Sequence, residues 1–329
     1  MILRTLFLSV LCCAATVSAC DLCAVYNKDV VPGESTTGFS FGITEQFIPS
    51  HTVQLDDHKL SPSVLDDLFV DSSMTHLVPT WNFSDRFGVS ANLPIVHKRF
   101  KRLQLTSAGV ASESGTEAGI GDLALIGRAT VLKVNDGKSS FGLNLLAGVK
   151  FPTGDADRVA EEVRVTRELD LIYGTGHQHA ISGVHLRDLA LGSGSFDGVF
   201  GVTANARVDR FFLNAQFQYY LRTPGESGYE YGDEWMVSGG PGVFLISGKK
   251  LSLGLQFVAV YDVMFSDRVL GRENQNTGMS AVYLGPQVNL AAGRRFSANA
   301  GIDLPIQIRN NGLQNVPDYR LHVGINFSF

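Results

Sequence analysis

Strict alternation of apolar and polar residues constrains this chain more than any other feature. In the final stretch, Tyr319, Leu321, Val323, Ile325, Phe327 and Phe329 interleave with Arg320, His322, Gly324, Asn326 and Ser328 without an error. Side chains on an extended strand point alternately to opposite faces, so a period of two describes a strand with one apolar and one polar face. Phe211 to Arg222 repeats the pattern, with Leu213, Ala215, Phe217, Tyr219 and Leu221 opposite Asn214, Gln216, Gln218, Tyr220 and Arg222. Twelve such segments are predicted, at about 36–48, 74–83, 86–98, 119–132, 139–151, 195–208, 211–222, 233–246, 251–263, 278–290, 296–308 and 319–329. Soluble strands centre on about 5 or 6 residues, whereas a tilted strand crosses a bilayer core with about 9 to 11.

The connections alternate too. Short turns at Ser84-Asp85-Arg86, Asn135 to Lys138, Asp209-Arg210, Gly248 to Lys250 and Gly293 to Arg295 separate long polar connections beginning near Pro49, Arg99, Pro152, Thr223, Ser266 and Asn310. Transmembrane barrels show this asymmetry, with short turns on the periplasmic side and longer loops outside. After the first twenty residues no apolar run approaches the roughly 18 needed for a spanning helix. Hydrophobic residues are 44% and charged residues 18%, diluted by 35 glycines. The reading is therefore all-β: a transmembrane antiparallel up-and-down barrel of about twelve strands over residues 36–329, its apolar row facing lipid and its polar row facing a lumen. Closure satisfies every backbone group without an edge. An even strand count puts both termini on one, periplasmic, side. A net charge of -5 gives no basic stripe for nucleic acid. Glu45 in an outward row, and Pro241 and Pro286 inside strands, fit this pattern only at a rim or a bulge.

Arg4, the apolar run Leu6 to Val17, and Ser18-Ala19 describe a signal peptide over residues 1–19. Residues 20–35 follow as a periplasmic segment whose Cys20 and Cys23 form a small disulfide or, through Cys20, a lipid anchor, with redox or metal contact as the alternative. The body is free of cysteine, so hydrogen bonding rather than disulfides must hold it.

Gly119-Ile120-Gly121-Asp122-Leu123, then Gly148 to Asp155 with its Pro152-Thr153-Gly154-Asp155 core, resemble the bacterial outer-membrane family named after the meta pathway of phenol degradation. Asn92 to Ile95 and Asp303 to Ile306 are further matches. The resemblance implies an outer-membrane channel for passive uptake of small, often aromatic, solutes. Phe329, behind its alternating strand, resembles the signal read by the barrel assembly machinery.

Read from the residues, Asp122, Arg128 and Lys150 fall in inward rows of adjacent strands and are expected to form a charged lumen cluster that sets selectivity. The 43-residue connection after Pro152 is too long to be passive, and part of it is expected to fold inward and narrow the pore. Its His177, His179 and His185 have the spacing of metal ligands, although solvated loop histidines are the plainer reading. Ser61-Pro62 before Val64 to Phe69 has the start of a short helix. No Gly-x-Ser-x-Gly, His-Glu-x-x-His or phosphate-binding loop is present, so neither an enzyme nor a cofactor is expected. The expected partners are outer-membrane lipid and a small solute, and the expected state is a monomer. The rival reading is a non-conducting surface protein whose histidine loop binds a metal or a partner.

Overall fold

The computed structural model describes residues 37–60, 65, 67–106, 109–174 and 181–329. Its wall consists of β1 (Gly38–Ser50), β2 (Phe69–Asn82), β3 (Phe87–Thr106), β4 (Gly109–Ile120), β5 (Ala124–Asn135), β6 (Ser139–Lys150), β7 (Asp197–Val208), β8 (Phe211–Leu221), β9 (Glu234–Ser247), β10 (Leu251–Met264), β11 (Met279–Ala292), β12 (Phe296–Asn310) and β13 (Arg320–Ser328). Neighbours are antiparallel throughout, and β13 closes the sheet onto β1 with Phe327 opposite Phe41 and Ile325 opposite Ile43. β4 and β5 share one stave, because β3 pairs with Ala124 through Asn92 and with Ile120 through Ile95. The barrel is therefore closed with twelve staves, as the alternation predicts.

The direction of the apolar row decides the solvent. On β8, Phe211, Leu213 and Leu221 are 69%, 50% and 45% exposed, whereas Gln218 on the other face is 0% exposed. A soluble barrel would show the reverse. Ten residue steps at about 3.3 Å, tilted about 40°, give an apolar band about 25 Å tall, the height expected of an outer-membrane wall. Aromatic girdles bound the band. Trp81, Phe83 and Phe87 pack together at the turn end, and Phe217, Trp235 and Tyr261 at the loop end.

The exceptions have local solutions. Glu45 does face outward, where the hydroxyls of Ser73 and Thr75 on β2 each donate to its carboxylate at 2.5 Å. Pro241 and Pro286 also face outward, and each keeps full pairing with one neighbouring strand while the ladder on its other side skips a pair of rungs. Pro79 does the same between β2 and β3. A residue without an N–H sits where no rung needs one. Gly285 before Pro286 is required by close approach, since a Cβ there would lie 1.6 Å from the Ile302 carbonyl oxygen.

One expectation needs correction, and others fall outside the described residues. The connection after Arg99 is not an irregular loop, because β3 continues to Thr106 and returns as β4 from Gly109. The proposed helix start at Ser61 to Val64 lies outside the described residues, and Phe69 already opens β2. The signal segment and Cys20 and Cys23 lie outside the described residues as well.

Candidate functional site

Of the connection after β6, residues 152–174 and 181–196 fold back over the barrel mouth as a lid, Lys98 of β3 holding the Asp188 and Ala190 carbonyls and the Leu103 N–H the Ser182 hydroxyl. It carries α1 (Asp157–Tyr173) and the single turn α2 (Leu186–Leu189), whose Leu186 and Leu189 are buried. The motif residues of the family resemblance form its hinge. Asp122 accepts from the Gly154 N–H at 3.0 Å, the Ser193 N–H at 2.8 Å and the Ser193 hydroxyl at 2.7 Å, so one carboxylate holds both limbs of the loop. Thr153 supports the break between β4 and β5 in their shared stave, receiving the Leu123 N–H and donating to the Gly121 carbonyl.

Lys150 meets Asp122 at 3.0 Å and Asp197 at 2.8 Å. Asp122 and Lys150 thus come together as expected, and Arg128 does not join them. It lies six residues down the stave, about 20 Å at strand rise, where its guanidinium donates to Asn82 and Thr130. The cluster grows sideways instead. Arg222 bridges Asp197 at 2.9 Å and Glu234 at 3.0 Å, and Arg320 pairs with Asp262 at 3.2 Å while lying over the Tyr283 ring. Sequence reasoning missed this extension, although each member occupies an inward position near the loop end of its strand.

A second anchor holds the lid from above. Arg187 of α2 meets Asp267 at 2.7 Å, and the same carboxylate accepts from the Tyr229 hydroxyl and from the Gly232 N–H. Three loops therefore converge on Asp267, which is fully buried. Burial opposes a charge on Arg187, but Asp267 and Asp188 beside it hold its pKa well above the ordinary value. Burial, reinforced by Asp267, pushes the Tyr229 hydroxyl well up, so it remains a donor. His185 belongs to this framework: its ring bonds the Leu313 carbonyl at 3.0 Å and its N–H bonds Asp188. His177 and His179 lie outside the described residues, and among the described residues no three metal-ligating side chains gather.

Beneath the lid lies a cavity of 260 Å³ inside the barrel. Ile48, Met74, Val96 and Leu191 give it apolar walls, and Asp122, Lys150 and Arg222 a charged side. A belt of inward apolar residues, including Val78, Ile126, Leu146, Val199 and Tyr283, packs together across the lumen below it. Met279 of that belt lines the upper cavity, whereas Met236 and Val260 line a smaller one of 40 Å³ beneath, among Thr44, Gln46, Gln216 and Ser238. Below the belt, besides the Arg128 bonds already described, hydrogen bonds between neutral groups cross-link the lumen: Thr130 donates to Asn144, Asn144 to Thr203, and Gln216 to Ser238.

No family model matches the chain, and no curated protein matches it either. Solved structures do. The COG4313 outer membrane channel from Pseudomonas putida F1 superposes with a TM-score of 0.60 at 14% identity, covering 91% of this chain and all of that one. The CymD monoaromatic hydrocarbon channel reaches 0.41 at 8% identity, covering 96% of this chain and 95% of that one. LpxR from Salmonella typhimurium reaches 0.38 at 10%, covering 88% and 99%. The first shares the fold of this chain, and the other two are too distant for inference.

Proposed function

We propose that the chain is an outer-membrane channel for the passive uptake of small, partly apolar solutes, aromatic compounds among them. The observation that carries this reading is the lidded cavity: space inside the barrel, apolar on one side and charged on the other, with further space below the belt. Its volume falls just under the usual range of about 300 Å³ and above for ligand sites, which suits small molecules and excludes oligomers. Solutes move down their gradient when the lid and the side chains of the belt shift. Selectivity resides in Asp122 and Lys150 with Asp197, Arg222 and Glu234. The turn end faces the periplasm, where both ends of the barrel lie, since Ser40 pairs with Ser328. Phe329 serves the barrel assembly machinery, and one chain forms the pore.

Planar-bilayer conductance tests the proposal. The purified barrel is expected to open narrow channels, and Lys150→Gln to shift the reversal potential towards cations, because Asp122 and Asp197 lose their shared counter-charge. A barrel that passes neither ions nor liposome-trapped aromatic solutes ends the channel reading. The packed belt favours the second reading, a non-conducting surface protein with a metal-binding loop. Replacing His177 and His179 by alanine, with His185 kept because its ring holds the lid framework, separates the two, since a channel keeps its conductance and a metal binder loses its ion.

A further inference from the structure

The turn end carries a charge pattern that neither the fold nor the lumen requires. The β2–β3 turn presents Arg86 against Asp85, and the β5–β6 turn presents Lys138, with Lys133 just above it, against Asp136. The β7–β8 turn has Arg210 beside Asp209, whereas the last two turns, with Lys249-Lys250 and Arg294-Arg295, contain no Asp or Glu. Eight exposed cations thus stand against three carboxylates at one end of a protein whose net charge is -5.

Placement says more than number. In four of the five turns the last residue is basic and the next is an outward apolar side chain: Arg86-Phe87, Arg210-Phe211, Lys250-Leu251 and Arg295-Phe296. Phe87, Phe211 and Leu251 are 50%, 69% and 42% exposed. Each cation therefore sits about 3.3 Å of strand rise beyond the apolar band, where long basic side chains reach headgroup phosphates while their apolar neighbour stays among acyl chains. A soluble acidic partner would be met by a patch facing down the barrel axis. Here the charges recur around the rim, each tied to a lipid-facing residue.

We infer that the turn end is a binding annulus for anionic glycerophospholipid headgroups. The inference rests on the barrel spanning a membrane. Near an anionic bilayer each basic residue multiplies affinity about fivefold, and salt screens the effect.

Trp81 provides the probe. It is 59% exposed on the outer wall at the turn end, and Trp235 is the other tryptophan of the chain. The full chain carrying Trp235→Phe is folded into phosphatidylcholine vesicles containing brominated phosphatidylglycerol or brominated phosphatidylcholine. Per mole, the brominated phosphatidylglycerol is expected to quench Trp81 about threefold or more strongly, within the per-cation range above. Adding Arg86→Gln, Arg294→Gln and Arg295→Gln is expected to bring the ratio to one, as is about 0.5 M salt with the parent. If the triple variant does not fold, the salt arm decides. A ratio of one in the parent overturns the inference, and so does a preference that survives both salt and substitution. Equal quenching together with tight binding of polyglutamate overturns it in favour of an acidic soluble partner. Absence of quenching by either lipid removes the membrane-spanning premise itself, a separate failure from equal quenching by both.

Discussion

The two halves of the lumen are built from different chemistry. On the loop side Asp122, Lys150, Asp197, Arg222 and Glu234 form an unbroken run of ion pairs, and a further pair, Arg187 with Asp267, pins the lid above. On the turn side Thr130, Asn144 and Thr203 form one run of hydrogen bonds and Gln216 with Ser238 another, all between neutral groups, and the one cation that joins them, Arg128, donates to Asn82 and Thr130 without meeting a carboxylate there. Buried ion pairs gain little net stability, because desolvation offsets most of their attraction, but they tolerate few wrong partners. They are found where a long loop must be held in one position on the wall. Neutral amides and hydroxyls exchange partners with water at little cost, which suits the wet passage of the proposed channel.

The comparison breaks hardest at Asp267. Removing its carboxylate leaves the buried Arg187 with only the longer, partly exposed Asp188 contact at 3.4 Å, so Asp267→Ala is expected to cost up to about 3 kcal/mol of lid stability. Rapid proteolysis between α1 and α2, with larger conductance, is the expected readout. Proteolysis and conductance both equal to the parent's would mean that the clamp does not hold the lid. A matching change in the lower lumen is expected to be milder. Asn144→Ala removes neutral bonds worth about 1 kcal/mol, measured as a small fall in the urea midpoint with conductance kept. An effect as large as that of Asp267→Ala would erase the distinction between the halves.

The smallest expected effect is on pH. Burial alone would raise the Glu113 carboxyl, but Arg102 at 2.7 Å and Arg158 at 3.1 Å hold it below its ordinary range. A depressed carboxylate contributes stability that is present above its unfolded pKa and is lost as pH falls through the folded value. Hydrogen-exchange protection of α1, corrected for intrinsic rates, should therefore decline modestly on acidification below the usual carboxylate range. The decline stays modest because Arg158 also holds Glu117 and Glu161. Protection that instead rises on acidification would contradict this assignment.

How much of this was legible depended on where two solvents meet. Wall strands were readable because lipid and lumen demand opposite side chains, which writes a period of two into Phe211 to Leu221 and Arg320 to Ser328. The β3–β4 hairpin beyond Arg99 was not, since one face packs against a lid that itself offers charged and polar groups, so Lys101, Gln104, Ser112 and Glu113 carry no contrast between the two faces. Asp122 and Lys150 followed from adjacent inward rows. Arg128 shared the row but not the height, a distinction that needs register as well as parity. The meeting of Arg187 with Asp267 left no trace in the pattern, because loops carry no periodicity from which an 80-residue separation could be bridged.

The outward prolines have a mechanical consequence. Pro79, Pro241 and Pro286 each mark missing rungs on one side only, between β2 and β3, β9 and β10, and β11 and β12. Rungs resist bending across a sheet, so these three seams act as creases and divide the cylinder into three stiffer panels. The two-stave panel of β10 and β11, fully laddered within itself from Leu251–Ala292 to Met264–Met279, hangs between two of them. Lateral pressure from the surrounding bilayer would fold this cross-section along its creases before it stretched any panel.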